Sequence, residues 1–175
     1  MPGLLHDALA APVIARIRRN HALEHATIHL LAARFPQRTL IGRSDAGGFT
    51  LLGDVPTEAV EQAAMEALAR LRRGERRLAL HPNCGTNLLT AGFLAGSAVF
   101  LGLGSRRAGE RVGDRLLRLP HAILMATLAL LVAQPLGMSI QQRVTTLADP
   151  GWTEIRSVQR RRSAPLPAHR VTTVG

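Results

Sequence analysis

His21, Glu24 and His25 stand in the box H-A-L-E-H, and His81 and Cys84 stand in a second box, H-P-N-C-G-T-N, just ahead of a long apolar run. Imidazole nitrogen and thiolate sulfur are the donors that a borderline-soft ion such as zinc prefers. Residues four apart on a helix share one face, so His21 and His25 can direct two rings at one ion while Glu24 stands beside them. The order is that of the inverted zinc-peptidase motif H-x-x-E-H. His81 adds a third nitrogen and Cys84 a sulfur, which makes the four donors of a tetrahedral zinc site. The first box alone is weak, because Leu- and Ala-rich helices carrying histidines meet it by chance; the second box tips the balance towards a metal site.

Two chemistries stay open. If His21, His25 and His81 bind and one position is left for substrate, Glu24 is the general base that takes a proton from water activated by the ion, and peptide hydrolysis is the default by motif analogy. If Cys84 also binds, the tetrahedron is closed and zinc is a structural staple supporting a protein–protein interface. His29 continues the stripe at i+8, drifting about 40° per step on a 3.6-residue turn, as a further donor or a partly buried helix histidine. Glu58, Glu61 and Glu66 are weaker candidates for a distant acidic ligand.

The two boxes ahead of an apolar segment resemble those of the bacterial YqhQ-like proteins, described as predicted metal-dependent membrane enzymes, whose boxes read much like G-A-E-H and H-P-x-C-G-T. The H-A-L-E-H version looks closer still to a smaller uncharacterised bacterial family. The resemblance covers about residues 18 to 104 and is carried most by the second box. It implies a membrane protein with a metal centre, and no particular substrate.

Elements must bring the boxes together. Residues 3 to 35 read as helix interrupted near Pro12, with Pro36 as its end. Two short strands follow around Ser44-Asp45-Ala46-Gly47-Gly48. A helix then opens at Pro56-Thr57, with acids in its first turn, arginines in its last and Gly74 as its stop. A third strand, about Arg76 to Leu80, is expected to deliver His81. The fold class is therefore α+β: a small α-β-β-α-β metal-binding domain over residues 1–87.

Residues 88–140 read as a two-helix transmembrane hairpin, from the uncharged runs Leu88 to Leu103 and Ala122 to Met138. Sixteen residues reach only about 24 Å, so the first run spans a bilayer only with its flanks. Gly92 and Gly96 form a G-x-x-x-G face, which suggests homo-oligomer contact. The basic loop 105–119 carries five arginines and the outer flanks carry eight, so the positive-inside rule leans towards cytoplasmic N- and C-terminal parts in a bacterial inner membrane. The Pro- and Arg-rich residues 141–175 read as a largely disordered tail.

Composition narrows the partners. The formal charge of +10 comes wholly from arginine, and aromatic residues make up only 3% of the chain. With almost nothing to stack on bases, nucleic acid is not expected as a partner, and anionic lipid accounts for the charge more simply. Membrane lipids and either a protein partner or a peptide substrate are the partners expected. One cysteine makes no internal disulfide.

Overall fold

The computed structural model describes residues 3–104, 112–161 and 167–175. The fold is mixed α+β: a four-stranded antiparallel sheet with helices, and two long apolar helices. The chain forms two compact units, Met1–His81 together with Gln142–Gly175, and Pro82–Gln141.

In the first unit α1 (Gly3–Ala10) gives way to α2 (Pro12–Arg34), with Pro12 in its first turn. Proline is tolerated there because the first N–H groups of a helix have no partner within it. Strands β1 (Ile41–Asp45) and β2 (Gly48–Leu52) form a hairpin with Asp45 opposite Gly48, and α3 (Thr57–Arg72) follows. Alanines dominate the meeting of α2 and α3: Ala22 and Ala26 with Ala63, Ala64 and Ala67 are fully buried, and small side chains let the helices approach closely. Leu23, Leu31, Phe49, Leu51, Val60 and Val171 fill the remaining core.

Two expectations are corrected. Arg76–Ala79 is a 3-10 turn, not a third strand. The C-terminal segment, read as a disordered tail, folds back as β3 (Glu154–Arg161) and β4 (Ala168–Val174), so the sheet order is β1-β2-β4-β3. The place beside β2 belongs to β4, in which buried His169, Val171 and Thr173 alternate with the less buried Arg170 and Thr172. Six arginines and three prolines among residues 141–175 mask that alternation. Consequently the α+β unit does not end near residue 87; it is completed by chain that returns after the apolar helices.

The second unit contains α4 (Gly85–Leu103), a short α5 (Val112–Leu116) and α6 (Leu119–Ile140); a π-helical turn at Gln141–Thr145 then leads the chain back into the first unit. Helices α4 and α6 pack on one another. A side chain at Gly102 would press on the Ala122 backbone, and one at Gly137 would strike Asn87, so these glycines set the close approach. Gly92 and Gly96, the pair singled out by spacing, have no described atom within 4 Å of a would-be Cβ. Helix Gly85–Leu103 and the segment Gly113–Thr145 are each long and apolar enough to cross a membrane. Their surfaces leave Leu88, Phe93, Phe100, Ile123 and Leu131 exposed. Part of the expected basic loop, residues 105–111, lies outside the described residues.

Candidate metal centre

His21, Glu24 and His25 all lie on α2, and His81 ends the first unit just after the 3-10 turn. The rings of His21 and His25 are 4.3 Å apart between centroids, and those of His25 and His81 5.8 Å. Two imidazoles bound at about 2.0–2.1 Å to one tetrahedral ion hold their ring centres roughly 5 Å apart, so the observed spacings bracket that value. The helical spacing and the turn thus collect three rings within one unit.

Backbone carbonyls fix the tautomers. His21 Nδ1 lies 3.0 Å from the Thr145 carbonyl, and buried His25 Nδ1 lies 2.8 Å from that of Ala79. A carbonyl only accepts, so both Nδ1 atoms carry the proton and both lone pairs sit on Nε2. Metal-ligating histidines have this arrangement, in which the outer N–H is held by a carbonyl and the inner nitrogen is presented to the ion. His29 is turned the other way: its Nε2 donates to the Leu80 carbonyl at 2.7 Å, and its ring stands 4.8 Å from that of His81. It anchors the strand of chain that carries His81.

Burial lowers the His81 pKa to about 4, helped by the neighbouring imidazoles of His29 and His25, so the ring is neutral at pH 7 as a ligand must be. Glu24 is pushed the opposite way, to about 7. Burial dominates and is opposed by the neighbouring His21 and by a hydrogen bond from Ser44. Its side chain lies across Gly42 of β1, where any Cβ would collide with the carboxylate. Glu24 Oε2 is buried and makes no hydrogen bond among the described residues. An orphaned, desolvated carboxylate oxygen one helical step from two tautomer-locked histidines is the chemical signature of this region.

Cys84, in the second unit, is the N-cap of α4, its Sγ accepting from the Thr86 N–H at 3.5 Å. Three residues of chain limit it to roughly 10 Å from His81. His21, His25 and Cys84 form a group that could hold a metal ion, and that group does not include His81. Glu58, Glu61 and Glu66 sit on α3, where Glu66 pairs with Arg34 and Arg70 on the surface. Glu66 is thereby committed to arginine.

The family model described as "Domain of unknown function (DUF6391)" matches residues 16–158. The chain belongs to the DUF6391 family. An uncharacterized protein of Picosynechococcus sp. is 38% identical over 144 residues, covering 74% of this chain and 65% of that protein. The chain therefore spans about two thirds of its relative's length. No solved structure matches the chain. The match takes in both boxes and both apolar helices of this DUF6391 protein and stops inside β3.

Several residues that build the region carry no motif. Asn20, fully buried beside the first box, donates through Nδ2 to the Asp45 carbonyl at 2.8 Å and accepts the Thr173 hydroxyl at 2.7 Å, tying α2 to β1 and β4. The carbonyls of Thr145, Ala79 and Leu80 are backbone groups brought in by folding. Only Asn20, a polar residue within an otherwise packing stretch of helix, left a readable trace.

Proposed function

We propose that this DUF6391 protein is a membrane-anchored, metal-dependent hydrolase, with His21, His25 and His81 as ligands and Glu24 as general base. The observation that carries the reading is the pair of Nδ1–H donations from His21 and His25 to backbone carbonyls, which put the lone pair of each ring on Nε2. Zinc suits three imidazoles, and when bound it would supply Lewis-acid polarisation of a substrate carbonyl and of the attacking water. Glu24 Oε2 accepts the proton that water releases and returns it to the leaving amine. A pKa near 7 lets the carboxyl work in both directions at neutral pH. The peptide bond is the proposed substrate, on the H-x-x-E-H order and the likeness of the two boxes to those of YqhQ-like proteins.

The apolar surfaces of α4 and α6 support anchorage in a bacterial inner membrane, with the α+β unit on the cytoplasmic side by the arginine balance. Resistance to carbonate washing tests this, and full release into the soluble fraction would refute it.

A second reading has its own support. Cys84 follows His81 closely enough to supply a fourth donor, and a site of three histidines and one cysteine is closed and structural. The two readings separate in one experiment on the detergent-purified chain. Under the hydrolase reading Glu24→Gln keeps about one metal ion per chain and loses cleavage of a fluorogenic peptide panel, and Cys84→Ser keeps both metal and cleavage. Loss of metal in Cys84→Ser, with Glu24→Gln silent, favours the staple.

A further inference from the structure

A cavity of about 380 Å³ lies within the first unit, lined by Arg76, Arg77, Ala79, Leu80, Gln142, Thr146, Leu147, Ala148 and Asp149. That volume sits at the small end of the range for ligand pockets, which suits a headgroup and not a polymer chain. The 3-10 turn presents Arg76 and Arg77 on one wall. Neither has an acidic partner among the described residues, whereas Glu75 beside them is already engaged by Arg70 and Arg73. Ala79, Leu80, Leu147 and Ala148 give the floor an apolar character.

The rest of the lining gives the depth. Gln142 belongs to the helical segment Gly113–Thr145 that is long and apolar enough to span a membrane, and Thr146, Leu147, Ala148 and Asp149 follow directly on that segment. The polar end of such a segment is where phospholipid headgroups lie, and guanidiniums lining a cavity there match phosphate oxygens in charge and in hydrogen-bonding geometry. Asp149 contributes one carboxylate, whose Oδ1 accepts the Gly151 N–H at 2.9 Å, so the lining carries two positive charges and one negative.

We propose that this cavity binds the phosphodiester group of a membrane glycerophospholipid between Arg76 and Arg77. The proposal rests on the membrane anchorage argued above and is independent of the metal. It also gives the Ala79–Leu80 backbone a double duty, with carbonyls holding His25 and His29 and side chains flooring the lipid site.

The test uses the full-length, metal-loaded protein in detergent, titrated with dihexanoyl phosphatidylglycerol below its micellar concentration. Calorimetry reads the affinity, and the single tryptophan, exposed Trp152 three residues beyond Asp149, gives a second optical readout. Arg76→Gln with Arg77→Gln should weaken binding about tenfold or more, the scale of losing charge-assisted hydrogen bonds, with bound metal and melting temperature unchanged. Asp149→Asn should bind at least as tightly as the wild type. Equal affinity in the double variant overturns the proposal. So does binding of inorganic phosphate or glycerol phosphate as tight as that of the lipid, which would assign the site to a soluble phosphate. Release of the protein by carbonate, by contrast, refutes the anchorage reading, so the two failures are distinguishable.

Discussion

Glu24 and His81 should impose opposite pH slopes on the stability of the metal-free protein. Glu24 has a folded pKa of about 7 against 4.5 for an unperturbed glutamate. Between those values the native state holds the proton more firmly, so its stabilising effect is full below about pH 4.5 and is lost as pH rises to 7. His81 has a folded pKa of about 4 against 6.5. Across that window the unfolded chain binds more protons, so stability is lost as pH falls from 6.5 to 4. Each displacement spans 2.5 pKa units. Taken whole, that is about 3.4 kcal/mol, reduced to roughly 1–2 kcal/mol for the half-buried, solvent-screened His81 and to about 2–3 kcal/mol for Glu24. The two effects nearly cancel between pH 4.5 and 6.5. Chelator-treated wild type should therefore show a shallow profile of thermal denaturation against pH. Glu24→Gln should unmask a midpoint that rises with pH, and His81→Gln one that falls with pH. Parallel profiles for both variants would refute the idea that burial holds these two groups in opposite protonation states.

Asn20→Leu leaves the Asp45 carbonyl and the Thr173 hydroxyl without their partner, which costs about 2–4 kcal/mol for two broken buried hydrogen bonds. Denaturant midpoints should show that loss, with Thr173→Val costing about half as much and the double variant less than the sum. Gly42→Ala places a methyl group against the Glu24 carboxylate. It should destabilise by about 1–3 kcal/mol as an overpacked site, leave metal content at wild-type level, and reduce peptide cleavage as strongly as Glu24→Gln does. Truncation after Pro150 removes β3 and β4 and exposes Phe49 and Leu51, so the shortened chain should aggregate or be degraded while the full chain is monodisperse.

What the sequence disclosed follows the range of the interactions concerned. Helical spacing is local, so the stripe of His21 and His25 on α2, the break at Pro12, the β1–β2 hairpin and the two apolar helices are all legible within windows of about twenty residues. The third strand and the disordered tail failed for a shared reason. Sheet membership is decided by pairing partners, and β2 pairs with a strand more than a hundred residues away, whose alternating His169, Val171 and Thr173 are set among the arginines and prolines of the segment before it. The same non-locality governs the candidate centre. Residue types nominate His21, His25 and His81, whereas their tautomers depend on the carbonyls of Thr145 and Ala79, and every peptide unit has a carbonyl. Thr145 reaches His21 only because the chain returns to the α+β unit after α6. A helix box that could be decorative becomes a chemically directed pair of imidazoles through that return: the chain that follows α6 supplies the carbonyl that holds the first histidine.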